Sequence, residues 1–583
     1  MYFSRFWRRF RLHGPALFVL FPAGFLALSA CRNTVTEAPP RYVVLRFENL
    51  SGDESLEWAG RAASEYLSRS LAGAFSGPVL NFAALSRLSA TLGPRPANVP
   101  GISAERTEAL VAGATRLITG YVERSGGSLR IAADEFDVKS GRSIRSLSAS
   151  DATVLGTLSQ LSRKFSPAAQ PYLTSSAEAL RLYVAGLEGP GDQAVSALEL
   201  SLQADASFGP AWTLLVNANL ARGNREAAKE LIAKARRRKL DLLDQANLNF
   251  SDAVLRNDRS DRLTAMRQIS NLSPGDTVLQ RSVAQSDADA GDFEHAAEEW
   301  NKLAAVLPDN GSVWNQLGYA RAFQGNYQSA LAAVREYARL QPNDPNPLDS
   351  TGDIHYLFRK YSEAAASYLA ANAKSPEFQL GGELYKAAWA KFNAGDKTGA
   401  DAAFAQFKAV RLKAKAPGVW LFEADWLYRT GRKKEALAIA AARPGPEAKS
   451  QIAVWDLLAG DRSAAARAAA EAGQARSGPE FLVRFVTLPS ASAEEWKKRA
   501  ERMIPAPEAT QIRLLAVGYA LLLDDKAQDA VPVWTKIVEG GAGTDFFSRA
   551  ILARLNGGKE KLAILPQPNA VNEFAAVLDQ IGR

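Results

Sequence analysis

Four prolines set the frame of this chain. Pro274, Pro308, Pro342 and Pro376 follow one another at intervals of 34 residues. Other small residues keep the same period: Gly291 with Gly325, Gly318 with Gly352, and Ala296 with Ala330 and Ala364. A period of this length specifies a supersecondary unit that cannot bury its apolar face alone, so stacked neighbours share one continuous core. Small residues let two antiparallel helices approach, large ones fill the holes beside them, and the proline ends the second helix of each unit. The clearest unit is Gly311 to Asp344, "GSVWNQLGYARAFQGNYQSALAAVREYARLQPND".

Within that unit Trp314, Leu317, Gly318, Gly325, Tyr327, Ala330 and Pro342 resemble the tetratricopeptide pattern. The frame extends to units at 209–242, 243–276, 277–310, 311–344 and 345–378, with looser ones around 381–414, 417–447, 448–478 and 511–544. Trp212 and Trp420 take the place of Trp314 in their units. Residues 177–208 read as a degenerate first unit, "PSASAEEWKKRAERMIPAPEAT" as an irregular insertion, and 545–583 as a capping segment. The expected array covers 177–544. By resemblance its first helices face a concave groove, and Arg281, Gln285, Asn315, Tyr319, Asp353 and Tyr356 fall on that face. Mixed polar and aromatic groups there suit protein or peptide partners.

Ahead of the array the pattern changes. "YVVLRF", Tyr42 to Phe47, and "PVLNFA" have strand composition, and "TRLITGYVERSGGSLRIAADEFDVKSGRSIRSLSA" reads as strands joined by Gly-containing turns. Leu56, Ala59, Ala63, Leu67 and Leu71 recur at helical spacing after a Ser51–Glu54 capping box. A helix from about Ala152 closes the unit. The strings "LRFENLSGDESLEWAGRAASEYLSRSL" and "AGATRLITGYVERSGGSLRIAADEFDVKSGRSI" resemble the TolB amino-terminal-like domain, found in envelope proteins. The resemblance places an α/β domain at 42–172 and carries no catalytic residues. The expected fold class is a small α+β amino-terminal domain followed by an all-α helix-pair solenoid.

The first 30 residues carry Arg5, Arg8, Arg9 and Arg11, no acid, and an apolar run from Gly14 to Ala30. That layout is an export signal. Pro15 and Pro22 interrupt the run, which is short for a spanning helix. Its end, Leu28-Ser29-Ala30-Cys31, resembles the lipobox of bacterial lipoproteins. The resemblance implies cleavage before Cys31 and a lipid thioether on it, with 31–41 as a tether. Arg32 after the cysteine implies the outer membrane. An uncleaved anchor and an ordinary secreted chain are the alternatives.

Cys31 is the sole cysteine, which excludes an intrachain disulfide framework and Cys-based zinc sites. His13 lies in the leader, leaving His295 and His355 in separate repeats. Neither supports a catalytic triad or a histidine metal site, and no cofactor motif occurs. The formal charge of +8 falls to +4 without the four leader arginines, so no nucleic-acid partner is expected. "KARRRK", Lys234 to Lys239, reads as a solvated helix end. The sequence therefore points to a non-catalytic, periplasm-facing lipoprotein that binds or scaffolds proteins. The alternative is a regulatory module whose α/β domain binds a small molecule and whose repeats relay to a partner.

Overall fold

A computed structural model describes residues 39–85, 102–125, 128–473, 478–505, 510–539, 546–556, 562–566, 568 and 573–579. The expected signal, Cys31 and most of the expected tether lie outside these residues.

The amino-terminal region is one mixed sheet covered by helices. Its strands are β1 (Tyr42–Val44), β2 (Glu48–Asn49), β3 (Val79–Leu80), β4 (Arg116–Ser125), β5 (Ser128–Asp137) and β6 (Ser143–Asp151), ordered β3-β1-β4-β5-β6 with β2 beside β4. β1 runs parallel to β3 and β4, and β4-β5-β6 is an antiparallel meander. Helix α1 (Glu57–Leu71) lays Ala59, Ala63 and Leu67 on Val44, Phe47 and Ile118 of the sheet side. Gly60 permits that approach, because a Cβ there would stand 2.1 Å from the Phe47 carbonyl oxygen. Asp53 caps the 3-10 turn Glu54–Leu56 that leads into α1, its carboxylate accepting the Ser55 N–H; Ser51 instead bonds to Asn49, which corrects the expected capping box. Helix α2 (Ile102–Val111) and helix α3 (Val154–Phe165), capped by Thr153, complete this region.

Helices then pair in sequence: α4/α5 (Ala177–Glu188, Gly191–Ala204), α6/α7 (Gly209–Ala221, Arg225–Ala235), α8/α9 (Leu242–Arg256, Arg259–Leu272) and α10/α11 (Thr277–Asp289, Phe293–Val306). Next come α12/α13 (Gly311–Phe323, Tyr327–Leu340), α14/α15 (Asn346–Leu357, Tyr361–Lys374) and α16/α17 (Gly382–Asn393, Lys397–Lys413). The series continues with α18/α19 (Val419–Arg429, Lys433–Ala441) and α20/α21 (Pro446–Leu458, Arg462–Glu471); α22 (Gly478–Val486) and α23 (Ala493–Met503) break the pairing, each packing on the first helix of α24/α25 (Thr510–Leu523, Ala527–Glu539). α26 (Phe546–Leu555) and α27 (Ala575–Leu578) follow. The fold is a small sheet region followed by a helix-pair solenoid.

Local chemistry explains the regularity. Asp276, Asp292 and Asn310 cap α10, α11 and α12 by accepting the N–H three residues on. Gly291 and Gly325 take φ of +78° and +84° at the turn inside a pair, a conformation that costs glycine least. At Gly352 an added Cβ would stand 2.5 Å from the Tyr368 ring, so the glycine sets the α14–α15 contact. Within the expected irregular insertion, α23 buries Trp496 completely, and its indole N–H donates to Asp524 at 2.8 Å.

Candidate partner-binding face

The first helices of successive pairs carry equivalent positions at the 34-residue period. Arg281, Asn315, Asp349 and Glu383 form one row, and Gln285, Tyr319 and Asp353 another. The structure divides these rows into two unlike environments.

Along α14 and α16 the rows are sealed. Lys386 sits among three acids. Its Nζ donates to Asp349 at 2.8 and 2.9 Å and to Asp353 at 3.1 Å. Tyr319 and Tyr368 donate to the two oxygens of Asp353 at 2.7 and 2.8 Å. Glu383 is fully buried, and neither of its carboxylate oxygens has a hydrogen-bond partner. Burial, with Asp349 adding repulsion, pushes the Glu383 carboxyl up to about 7. Burial and Asp353 likewise push Asp349 up, against the pull of Lys386. The ammonium is disfavoured by burial but held charged, above its ordinary range, by Asp353 and Asp349.

This corrects three expectations. Tyr319, Asp353 and Tyr356 are buried, at 9%, 6% and 5% exposure, so they are not open contact residues. Tyr356 accepts from Asn393 at 2.8 Å rather than facing a partner. The chain's own carboxy-terminal segment contributes to the sealing. Leu562, Ala563 and Leu565 pack with Tyr356, Leu357, Tyr385 and Trp389, and the Ala563 N–H donates to the Leu357 carbonyl at 2.8 Å. Arg411 reaches the Pro568 carbonyl at 3.2 Å, and Gln451 that of Glu573 at 3.2 Å. Arg429 grips Asp579 through two bonds of 2.7 and 3.0 Å. The described residues between 562 and 579 thus pack back along the array, whereas capping alone was expected of 545–583.

Along α10 and α12 the face is open. Arg281 and Gln285 are exposed and, with Ser282, Ser312 and Gln316, border a depression of about 480 Å³. The Arg281 guanidinium lies 6.0 Å from the centre of the Trp300 ring, within cation–π range. Asn315 is half-buried beside them, and its Oδ1 is enclosed without a partner. This face offers one cation, three amides and three hydroxyls, Ser286 among them, over an aromatic floor.

Residues outside these rows support them. Lys386 was not expected as a site residue; continuing the Arg281–Asn315–Asp349 row to Glu383 leads to it, one helical turn on. His295 Nδ1 pairs with Asp292 at 2.7 Å, and His355 Nδ1 with the Tyr327 hydroxyl at 2.8 Å, so each is engaged locally. Among the described residues no group of three or more His, Cys, Asp or Glu is arranged to hold a metal ion. Among them, too, no helix is long and apolar enough to cross a membrane.

No family model matches the chain. It is 32% identical over 149 residues to BBSome complex member BBS4 of Mus musculus, covering 25% of this chain and 28% of that one. It is 26% identical over 179 residues to TPR repeat-containing protein PA4667 of Pseudomonas aeruginosa, covering 30% of each. The chain thus spans less than a third of these relatives. Among solved structures, MamA protein superposes on 30% of this chain and 96% of its own, with 15% identity and a TM-score of 0.26. Tetratricopeptide-repeat proteins are thus among this chain's homologues.

Proposed function

We propose that this chain is a non-catalytic binding scaffold of the cell envelope. The open α10–α12 face captures a protein or peptide partner, and Cys31 carries a lipid anchor. The observation that supports it is the contrast along the two rows: Arg281 and Gln285 are exposed, while Asp349 and Glu383 in the first row and Asp353 in the second are sealed. Binding at the open positions costs no rupture of the buried network. The donors on this face suit a partner segment bearing carboxylates and backbone carbonyls, since arginine pairs with carboxylates through directed, charge-assisted bonds. Homology to tetratricopeptide-repeat proteins favours the same reading. The sheet region is assigned to the TolB amino-terminal-like class on the strings that resemble it, and its place ahead of the array suits a position near the membrane.

Two tests bear on this reading. A photo-cross-linking residue at position 285 should trap a defined partner from envelope extracts, and one at position 369, on the other side of a helix pair, should not. Equal trapping at both positions would refute the assignment of the face. Metabolic labelling with a fatty-acid analogue should mark the parent and not Cys31→Ser; label on the variant would refute the anchor.

A further inference from the structure

The amino-terminal region and the start of the array meet along α1. Arg61, Glu65 and Arg69 are spaced four residues apart on that helix, so Glu65 has an arginine one turn away on either side. Neither arginine bonds to it. Arg61 turns to Glu105 and to Glu188, the latter at 2.9 Å, and Arg69 turns to Asp241 and to Asp244, the latter at 3.1 Å. Glu65 Oε2 has only the Tyr183 hydroxyl at 3.5 Å, and Oε1 is enclosed with no partner.

That carboxylate borders a cleft of about 700 Å³ between α1, the β3 segment and the first three helix pairs. Two more enclosed polar atoms without partners line it: Ser68 Oγ on the α1 side and Thr213 Oγ1 on the array side. Leu80, Leu187, Leu214 and Ile269 supply apolar wall, and Tyr172 and Tyr183 an aromatic one. The volume falls within the range of small-molecule sites, about 300–1,000 Å³. Charge selects the ligand class. Among the described residues lining the cleft the one guanidinium, that of Arg69, is already held by two aspartates, whereas Glu65 Oε1 lacks a donor and Asp244 and Asp276 add further acid. Among the described residues an anion finds no unspent cation here. An enclosed carboxylate oxygen without a donor is costly, and a ligand that brings the donor recovers that cost.

We propose that this cleft binds a small amphipathic amine, with its cationic nitrogen on Glu65 and its apolar body against the Tyr172–Tyr183 wall. The inference does not depend on the scaffold reading. Hydroxyl groups on such a ligand would meet Ser68 and Thr213.

The test is isothermal titration of the full chain with benzylamine, using benzyl alcohol as the neutral match. Saturable binding of the amine is expected, with the alcohol at least tenfold weaker. Glu65→Gln keeps the shape and removes the charge, and should weaken the amine at least tenfold. Asn217→Trp places bulk at the exposed rim, far from the core of α1, and should also weaken it; this variant decides the matter if Glu65→Gln misfolds. The proposal is overturned if benzylamine shows no saturable binding, as for a cleft that holds water only. It is equally overturned if benzyl alcohol binds as tightly, or if the folded variants bind benzylamine like the parent.

Discussion

Replacing Lys386 by methionine is the sharpest probe of the sealed row. The Lys386 side chain is 9% exposed, and those of Asp349 and Asp353 are 4% and 8% exposed. Removing the ammonium leaves two enclosed carboxylates that repel each other, next to an unpartnered Glu383. Breaking a buried pair by deleting one member typically costs about 3–5 kcal/mol, because the remaining charge has no compensation. The pH dependence has a definite sign. Asp349 already has a folded pKa above its unfolded value, so its protonated form is the one folding favours, and its stabilising effect is lost as pH rises through the folded pKa. Without Lys386 that pKa rises further. The variant's deficit should therefore be largest at pH 8 and shrink toward pH 5. Repeat arrays can lose segments separately, so the assay is hydrogen exchange of the α14–α17 amides at both pH values, alongside urea melts. A deficit under about 1 kcal/mol, well below the buried-pair range, or one that grows on acidification would refute the reasoning.

Three other outcomes follow from the packing. Gly318→Leu sets a Cβ 2.7 Å from Val334 Cγ2, so overpacking should cost about 1–3 kcal/mol or more, read as a lower urea midpoint. Glu383 titrates near 7 in the fold against 4.5 in its ordinary state, so its contribution is lost as pH rises through 7; Glu383→Gln should melt above the parent at pH 8 and close to it at pH 5. Asp579→Asn weakens the clasp on Arg429, and limited proteolysis should then cut within 562–579 faster than in the parent; unchanged cutting would show that apolar packing alone holds the segment.

The helix pairs were legible because they rest on local rules. Pro308 and Pro342 stop helices, Gly325 turns the chain, and Gly318 and Gly352 let helices touch, so each leaves a mark at a fixed interval. The strands β4 to β6 were legible for a similar reason, since their turns carry glycine. The candidate face was legible only in part. Gln285, Tyr319 and Asp353 occupy equivalent places, and periodicity assigns the helix face but not what covers it. The covering comes from residues more than 200 positions away, Leu562 to Leu565 against Tyr356, and no period encodes that contact. Lys386 escaped notice because the 34-residue row ends on an acid at Glu383, while the cation that answers the acids lies three residues later. The α1 interface was not legible either, because Arg61 and Arg69 meet Glu188 and Asp244 from across the array and no local spacing joins them.

The central claim is that partners bind at α10–α12 and not along the sealed row. The direct measurement is the affinity of the partner trapped at position 285 for the parent and for Arg281→Glu, by titration, with circular-dichroism melts of both. The account predicts unchanged melting and at least a tenfold loss of affinity, equivalent to about 1.4 kcal/mol. Unchanged affinity with unchanged melting would contradict it and move the binding site to another surface.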